Sequence, residues 1–429
     1  MTQDVQAGTR WTPVVALALA MLVVATEMTV AAVALPGIGA ELDVGPGATA
    51  WVLLAYTLPT AVAIPAGRWV DRADVRPAFL GALVLVVAAS VLTAAAPAFW
   101  VLLVGRLAQG VASAVVLAAY LPIVVANVRA DRRGRAIGSI VTIMTVGGLA
   151  GAPLGGVVAG AFGWRAVFLL KVPVLVAALV LGWRSLRGDG RGLPVPDRSL
   201  LVEALLLGGA ITAAVLAVGG RPWLLVVTVV LGVLWARLPA ARPVLDLARR
   251  RAVGFPLLSL GLVSTLGGLL FFLVPYHVTD ALRGSPSDVG VALLVFVAGV
   301  AALSAVSGVL ADRIGPRPVA LAGAVVTLAG VALLLVPVDD LTGLCLRLAV
   351  VGVGQGLFNA PVNALLMAAA PAGREGAVGG TGASARMIGS SLGPAVAALA
   401  APAGFRVGVA VLGAILLVGT IALAAGRAD

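Results

Sequence analysis

The chain has 429 residues, of which 61% are hydrophobic and only 11% charged, and its mean hydropathy is +1.13. This composition excludes an ordinary soluble protein, in which about 25% of residues are charged. Cys345 is the only cysteine, which excludes disulfides within the chain and provides no thiolate metal site or redox pair. We therefore expect an integral membrane protein that holds no metal and no cofactor.

Long apolar runs follow one another along almost the whole chain. A helix needs about 20 apolar residues to cross a bilayer core of about 30 Å. The first run, Trp11 to Pro36, is too long for the apolar core of a secretory signal, so we expect it to be retained as the first spanning helix. Apolar runs and charged breaks predict an all-α protein with fourteen spans, at residues 11–36, 49–67, 77–97, 99–126, 136–162, 164–183, 200–218, 222–238, 254–277, 287–310, 318–337, 341–368, 376–400 and 404–425.

The net charge of +11 is distributed unevenly between the two sides of these spans. With the N-terminus placed in the cytoplasm, 21 of the 29 basic residues fall in cytoplasmic segments and four lie within spans. The four on the outer side are Arg165, Arg221, Arg283 and Arg406. The asymmetry follows the positive-inside rule and predicts a multi-pass protein of the cell membrane with both termini cytoplasmic. Because the arginines are dispersed over short connections, they form no continuous basic surface, and we expect no nucleic-acid partner.

An internal repeat organises the spans. The segment GRWVDRADVR at Gly67 to Arg76 is echoed by GVLADRIGPR at Gly308 to Arg317, after the second and the tenth predicted span. The repeat predicts two six-helix halves with two linking helices between them, with boundaries at residues 1–183, 184–253 and 254–429. Duplicated halves of this kind place a substrate site between them, near the middle of the bilayer.

Glu27 is the only acid in the middle of a predicted span. Burial disfavours the ionised carboxylate, so such a group can hold a proton in one conformation and release it in another. Arg106 lies at a similar predicted depth and is the expected partner. Two interpretations stay open: a proton-coupling pair that separates during a transport cycle, and a permanent structural ion pair.

Two glycine-containing patterns predict helix contacts that change during such a cycle. In the two repeated loops, small glycines permit close helix approach, and the acids can meet helix N-termini or arginines. We expect a reversible conformational latch there, with ordinary solvated loop charge as the alternative. The latch residues are Gly67, Asp71, Arg72, Gly308, Asp312 and Arg313.

In the fifth span, glycines recur every four residues at Gly147, Gly151 and Gly155, which predicts a flat face for close helix packing, either as a sliding seal or as static packing.

Polar side chains at helical spacing predict the wall of a central pathway, because residues four apart share a helix face. The alternative is hydrogen bonding between helices. The residues are Tyr56 and Thr60 of the second span, Gln109 and Ser113 of the fourth, Gln355, Asn359 and Asn363 of the twelfth, and Arg386 of the thirteenth.

Together these motifs resemble the major facilitator superfamily, and within it the fourteen-span drug:proton antiporters. ATEMTVAAVALP at Ala25 to Pro36 is similar to that family's first-helix signature, and RLAQGVASA at Arg106 to Ala114 is similar to its fourth-helix motif. GGLAGAPLGG at Gly147 to Gly156 resembles the antiporter motif, which adds Pro153 and Gly156 to the three spaced glycines. The chain departs from the family pattern at Ala32, Asp74 and Lys171, and Pro153 stands one place late.

The resemblance implies a major facilitator fold arranged as six plus two plus six helices. It implies proton-driven export of small lipophilic or amphipathic compounds such as antibiotics, with the lipid bilayer, protons and a small-molecule substrate as partners. A metabolite importer or facilitator of the same fold is the alternative. An enzyme is not expected, since no convergent set of catalytic groups occurs in any span, and we expect a monomer.

Overall fold

The protein is described by a computed structural model, which covers residues 9–61, 63–195, 197–218, 220–371, 375–400 and 404–426. Within these residues all regular secondary structure is helical. Two short 3₁₀-helices (Ala130–Arg132 and Pro239–Ala241) and a π-helical turn (His277–Ala281) accompany the α-helices. The α-helices are α1 (Trp11–Glu41), α2 (Pro46–Ala61), α3 (Ala63–Arg72), α4 (Val75–Ala94), α5 (Phe99–Asn127), α6 (Arg133–Phe162), α7 (Trp164–Leu169), α8 (Val172–Ser185), α9 (Arg198–Val218), α10 (Leu224–Ala236), α11 (Arg242–Arg249), α12 (Arg251–Tyr276), α13 (Pro286–Ile314), α14 (Pro316–Leu334), α15 (Leu341–Ala368), α16 (Glu375–Ala400) and α17 (Phe405–Ala425).

Among the described residues, eleven helices are long and apolar enough to cross a membrane. α2 and α3, bent by 48° relative to each other, add a twelfth if they are taken as one span. Pro59 lies in α2 and Pro65 in α3, and a proline removes a helical hydrogen bond and favours such a bend.

The fourteen predicted spans are therefore not all confirmed. The eighth corresponds to α10, whose 13 residues rise only about 20 Å. The thirteenth corresponds to α16, which is helical over 26 residues but carries Arg386 among many glycines and serines. The predicted second span runs across residue 62, which lies outside the described residues, as do the chain termini whose location was predicted.

Short connections alternate between two ends of the bundle. We call the arginine-rich end the one formed by residues 73–74, 128–132, 186–197 and 315, and the opposite end the one formed by 42–45, 95–98, 282–285 and 335–340. At the arginine-rich end, Asp74 begins α4 by accepting hydrogen bonds from the backbone N–H of Arg76 (3.0 Å) and of Gly190 (3.1 Å). This side chain is buried, so the residue that departs from the family pattern joins α4 to the connection at 186–197.

Two helix groups, α1–α8 and α12–α17, pack against each other mainly through α1 with α12, α6 with α13 and α2 with α16. Most of the buried residues of α13 lie between Val289 and Phe296, near its start, and only Ser307 and Ala311 are buried after that. In α6, only Ala136 and Ile140 are buried before Gly147. Close contacts between α6 and α13, such as that of Gly156 with Pro286, thus lie toward the opposite end.

Candidate functional site

Glu27 lies in the middle of α1, in a helix that is apolar on all sides and buried on most of them. Only 2% of its side chain is exposed. A carboxylate in such a place needs partners that replace its lost hydration, because burying an isolated charge costs several kcal/mol.

The first partner is Arg106 of α5, which is fully buried. Its Nη1 donates to Glu27 Oε2 at 2.7 Å and to Gln109 Oε1 at 2.7 Å, and its Nε donates to the carbonyl oxygen of Val52 at 2.9 Å. The structure therefore brings Glu27 and Arg106 together at the expected depth. Whether the pair separates during a cycle is a question of role, which stays a prediction.

The second partner is Lys171, whose Nζ donates to Glu27 Oε1. Lys171 stands in the two-residue break between α7 and α8, and this break lets the buried side chain reach α1. The sequence motifs mark Lys171 only as a departure from the family pattern, and its contact with Glu27 was not predicted. The available signal was the lysine itself, because a cation inside an apolar span requires a partner.

We call Glu27, Arg106 and Lys171 the charged cluster. Aromatic rings enclose it: the Tyr56 ring centroid lies 4.7 Å from Arg106 Cζ, and the Phe168 ring lies 5.7 Å from both Arg106 Cζ and Lys171 Nζ. Cations over aromatic faces are stabilised where water is excluded. The cluster combines one formal negative charge with two positive ones.

The other predicted pathway residues of the first helix group lie on α5 with Arg106 or on α2 with Tyr56. Gln109 continues the network by donating from Nε2 to Ser90 Oγ at 3.1 Å, and Ser113 is buried beside it on α5. Thr60 is buried, and its hydroxyl donates to the carbonyl oxygen of Thr57 at 2.7 Å. The hydroxyl hydrogen of Thr60 is thus used within α2.

The predicted pathway residues of the second helix group form a separate set on α15 and α16. Arg386 Nη2 donates to Asn363 Oδ1 at 3.2 Å, and Asn363 Nδ2 donates to the carbonyl oxygen of Asn359 at 2.7 Å. Gln355 is buried, and its Oε1 has no hydrogen-bond partner among the described residues. The structure thus divides the predicted polar residues into one set on each side of the seam.

The predicted latch residues of the first loop contact the connection at 186–197. Arg72 pairs with Asp197, and the main-chain carbonyl of Asp71 accepts from Arg191 Nη1 at 3.0 Å. Hydrogen bonds from the Ser199 hydroxyl and the Leu200 N–H, together with that from Arg72, hold the pKa of Asp197 below its usual range.

Gly67 has open space around it, as does Gly308 in the second loop. Asp312 and Arg313 make no ion pair within the described part of the chain. In this conformation, the loop residues do not join the two helix groups to each other.

The predicted antiporter motif lies where α6 meets two other helices. A Cβ at Gly151 would come within 2.3 Å of Thr29 Oγ1 on α1, and a Cβ at Gly156 within 2.7 Å of the Pro286 carbonyl oxygen on α13. Gly147 and Gly155 also face α1, and Pro153 lies against Gly290 of α13. The motif therefore touches both helix groups at once.

A cavity of about 750 Å³ lies away from the charged cluster. It lies between α2, α3, α5 and α9, and its lining is almost wholly apolar, from Trp51 and Leu103 to Trp69 and Leu201. Within the described residues, no group of three or more His, Cys, Asp or Glu side chains is placed to hold a metal ion.

Comparison with known proteins agrees with this architecture. A model of the Major Facilitator Superfamily matches residues 17–274 and 257–427, which together cover nearly the whole chain. The helical bundle and this match define a membrane transporter rather than an enzyme. The chain belongs to the Major Facilitator Superfamily.

Among curated relatives, the chain is 29% identical over 401 residues to the multidrug resistance protein Stp of Mycobacterium tuberculosis, which covers 89% of this chain and 74% of the relative. It is 28% identical over 408 residues to the tetracenomycin C resistance and export protein of Streptomyces glaucescens, covering 91% and 75%. The multidrug efflux pump LfrA of Mycolicibacterium smegmatis is 29% identical over 417 residues, covering 90% and 79%.

The fold is shared with solved transporters. A bacterial homologue of the human lysosomal transporter Spinster, in an inward-facing and occupied conformation, superposes with a TM-score of 0.71 at 16% identity and covers 96% of this chain and 94% of its own. A peptide transporter of the POT type gives a TM-score of 0.70 at 16% identity, covering 96% and 93%.

Proposed function

We propose that this protein is a proton-coupled antiporter that exports small lipophilic or amphipathic compounds by alternating access. The observation that carries the proposal is Glu27, a carboxylate with 2% exposure held by Arg106 and Lys171 in the middle of the bundle. The relatives named for multidrug resistance and for drug export support the efflux direction.

Proton binding at Glu27 would change the balance of the charged cluster. When the carboxylate is ionised, it offsets one of the two cations; when it is protonated, Arg106 and Lys171 face each other without an anion. Like charges at short distance in a water-poor site repel strongly. Protonation therefore favours a rearrangement that separates α1, α5 and the α7–α8 break, and release of the proton restores the compact arrangement.

Membrane potential adds to the pH gradient as the driving force. Each elementary charge that crosses 100 mV contributes about 2.3 kcal/mol. A proton carried inward on Glu27 during each cycle therefore supplies free energy for outward movement of a solute against its gradient.

The remaining polar residues have roles that follow from this scheme. We assign Tyr56, Thr60, Gln109 and Ser113 to one wall of the substrate pathway, and Gln355, Asn359, Asn363 and Arg386 to the other. The glycines of the motif from Gly147 to Gly156, with Pro153, seal the seam by close packing. Gly67, Asp71, Arg72, Gly308, Asp312 and Arg313 latch the arginine-rich end when the transporter faces the other way.

The proposal includes the fourteen-span arrangement of the drug:proton antiporters. In that arrangement, residues 1–183 and 254–429 are two six-helix halves, and 184–253 contains two linking helices. The arginine-rich end then faces the cytoplasm, as the positive-inside rule requires, and the protein acts as a monomer in the cell membrane with both termini inside.

Transport by Glu27→Gln in everted membrane vesicles tests the proposal. Glutamine keeps the shape of the side chain but cannot bind and release a proton. Proton-driven uptake of a fluorescent drug into the vesicles should therefore fall to the level of vesicles that lack the transporter. Glu41→Gln is the matched control, because Glu41 ends the same helix and pairs with Arg165 at the exposed opposite end. Undiminished uptake by Glu27→Gln with an unchanged pH dependence would refute coupling at this site. Proton-driven movement of the drug out of acidified everted vesicles, instead of into them, would favour the importer.

A further inference from the structure

The middle of the bundle holds more positive than negative charge. Glu27 is the only acid well inside a span, whereas four cations lie within spans: Arg106, Lys171, Arg347 and Arg386. Arg106 and Lys171 share Glu27 between them. Arg386 has no carboxylate partner within the described part of the chain.

Two other arginines of the second helix group, Arg317 and Arg347, each donate several hydrogen bonds to main-chain carbonyl oxygens. Arg317 donates to the carbonyl oxygens of Gly426, Leu423 and Ala424 at 2.8 to 3.0 Å. Arg347 donates three hydrogen bonds to the carbonyl oxygens of Val336 and Pro337 at 2.8 to 3.0 Å. The carbonyl groups that they contact lie at or just beyond the ends of α17 and α14, where free carbonyl groups are available.

Arg386 has fewer hydrogen bonds than these two arginines, and it lies away from free carbonyl groups at helix ends. A guanidinium has five N–H donors, and the described contacts of Arg386 include one hydrogen bond, to Asn363 Oδ1 at 3.2 Å. Its position is eleven residues inside α16, about 16 Å from the helix start, which is too deep for a lipid phosphate group. The surrounding helix backbone is hydrogen-bonded to itself and offers few free carbonyls.

The helix that carries Arg386 lies beside the seam. α16 packs against α12 and α15 of its own group and against α2 of the first group. Asn363 and Asn359, with the unpartnered Oε1 of Gln355, extend the same polar stripe along α15. The guanidinium therefore has donors left at a site that the proposed substrate pathway passes.

We propose that Arg386, with Asn363 beside it, binds a carboxylate of the transported compound, so that the substrates are lipophilic organic anions. This inference rests on the proposed function, since it names the chemical class that the exporter carries. Guanidinium groups bind carboxylates through two parallel hydrogen bonds, which gives both strength and orientation. The apolar remainder of the substrate fits the apolar helices around the site.

An anionic substrate changes the electrical character of transport. Export of one monoanion against one entering proton moves two elementary charges per cycle, whereas export of a neutral compound moves one. Accumulation of the anion should therefore respond to membrane potential twice as steeply, on a logarithmic scale, as accumulation of a matched neutral compound.

The test uses three matched pairs of aromatic probes, each an acid and its carboxamide, one pair being 1-pyrenebutyrate and 1-pyrenebutyramide. Equilibrium binding to the full-length protein in lipid nanodiscs is measured without a proton gradient, for the unmodified protein, Arg386→Gln and Arg386→Lys. We expect the unmodified protein to prefer the acids, and Arg386→Gln to lose roughly ten- to hundredfold in affinity for them while binding the amides within about twofold. Arg386→Lys keeps the charge but not the planar fork, and should retain part of the preference.

Three outcomes would overturn the inference: no binding of any acid by the unmodified protein, tighter binding of the amides, or equal loss of acids and amides in Arg386→Gln. If Arg386→Gln does not fold, as judged by its thermal unfolding transition, loss of the acid preference in Arg386→Lys without loss of amide binding supports the inference, and equal loss of both overturns it. Vesicle transport separates this inference from the proposed function. Acid binding that depends on Arg386, without proton-driven export, would support the anion site and reject the exporter. Proton-driven export of the amides alone would support the exporter and reject the anion site.

Discussion

The hydroxyl oxygen of Thr49 and the phenol oxygen of Tyr276 lie 2.5 Å apart at the opposite end of the bundle. Thr49 belongs to the start of α2 and Tyr276 to the end of α12, so the hydrogen bond joins the two helix groups directly. Close to it, Gly156 of α6 packs on the backbone of α13. These contacts join the two helix groups at this end.

Replacing Tyr276 by phenylalanine should shift the protein toward the conformation that opens the opposite end. Loss of one net hydrogen bond is worth about 0.5 to 1.5 kcal/mol, or roughly a two- to tenfold change in the opening equilibrium. Spin labels at Gly47 and Ala281, both exposed at this end, report the distance between the groups in a Cys345→Ser background.

Tyr120→Phe is the matched control, because the Tyr120 hydroxyl has no hydrogen-bond partner among the described residues. Thr49→Val should reproduce the shift, and the double variant with Tyr276→Phe should add little. Fully additive effects of the two changes would contradict a shared hydrogen bond.

Lys171→Asn should move the pH dependence of transport to higher pH. Removing one of the two cations beside Glu27 destabilises its ionised form, so transport steps that need the protonated carboxyl group should continue to higher pH. Initial rates of drug uptake in vesicles between pH 5.5 and 9 measure the shift. Lys171→Arg keeps the charge and should leave the pH profile of transport nearly unchanged. Equal pH profiles for the unmodified protein, Lys171→Asn and Lys171→Arg would mean that Lys171 has no influence on coupling.

Gly151→Leu should stop transport without preventing membrane insertion. Even a Cβ at this position would meet Thr29 Oγ1 at 2.3 Å, so α6 and α1 must separate to admit a larger side chain, at a cost of about 1 to 3 kcal/mol. Gly138→Leu is the control on the same helix, because Gly138 is exposed and a Cβ there would have no other atom within 4 Å. Insertion is followed by the yield of monodisperse protein in detergent. Normal transport by Gly151→Leu would rule out a tight moving contact here.

Asp197→Asn should loosen the connection at 186–197 without large effects on transport. The lowered pKa of Asp197 means that its contacts with Ser199, Leu200 and Arg72 stabilise the folded loop above the ordinary aspartate pKa, and that this stabilisation is lost as pH falls through the lower folded-state value. The mobility of a spin label at Leu193 should therefore be higher in Asp197→Asn than in the unmodified protein at pH 7, with the difference closing only below about pH 4.

Transport should change by less than about twofold, since exposed ion pairs contribute little. Asp189→Asn serves as the control, because the hydrogen bonds of Asp189 stay within the connection, to Arg191. A label that is equally mobile in the unmodified protein and Asp197→Asn at pH 7 would show that Asp197 does not hold this connection.

The sequence predicted the helical membrane bundle because insertion depends on local composition: runs of about 20 apolar residues have few alternatives to a helix in lipid. It was less able to predict the number of spans, because the short α10 and the polar α16 depend on their neighbours as much as on their own hydropathy. Glu27 stood out for the same local reason, as a lone acid in an apolar run, and Arg106 followed from depth along the helix.

Contacts between helices were beyond reach of the sequence alone. Lys171 meets Glu27 across 144 positions of chain, and Thr49 meets Tyr276 across 227. Apolar composition determines that a segment spans the membrane, but not how it is rotated or which helix lies beside it. Those are decided by side-chain packing between distant segments. Only the tertiary structure therefore gave Glu27 a second cation and left Arg386 without a carboxylate partner among the described residues.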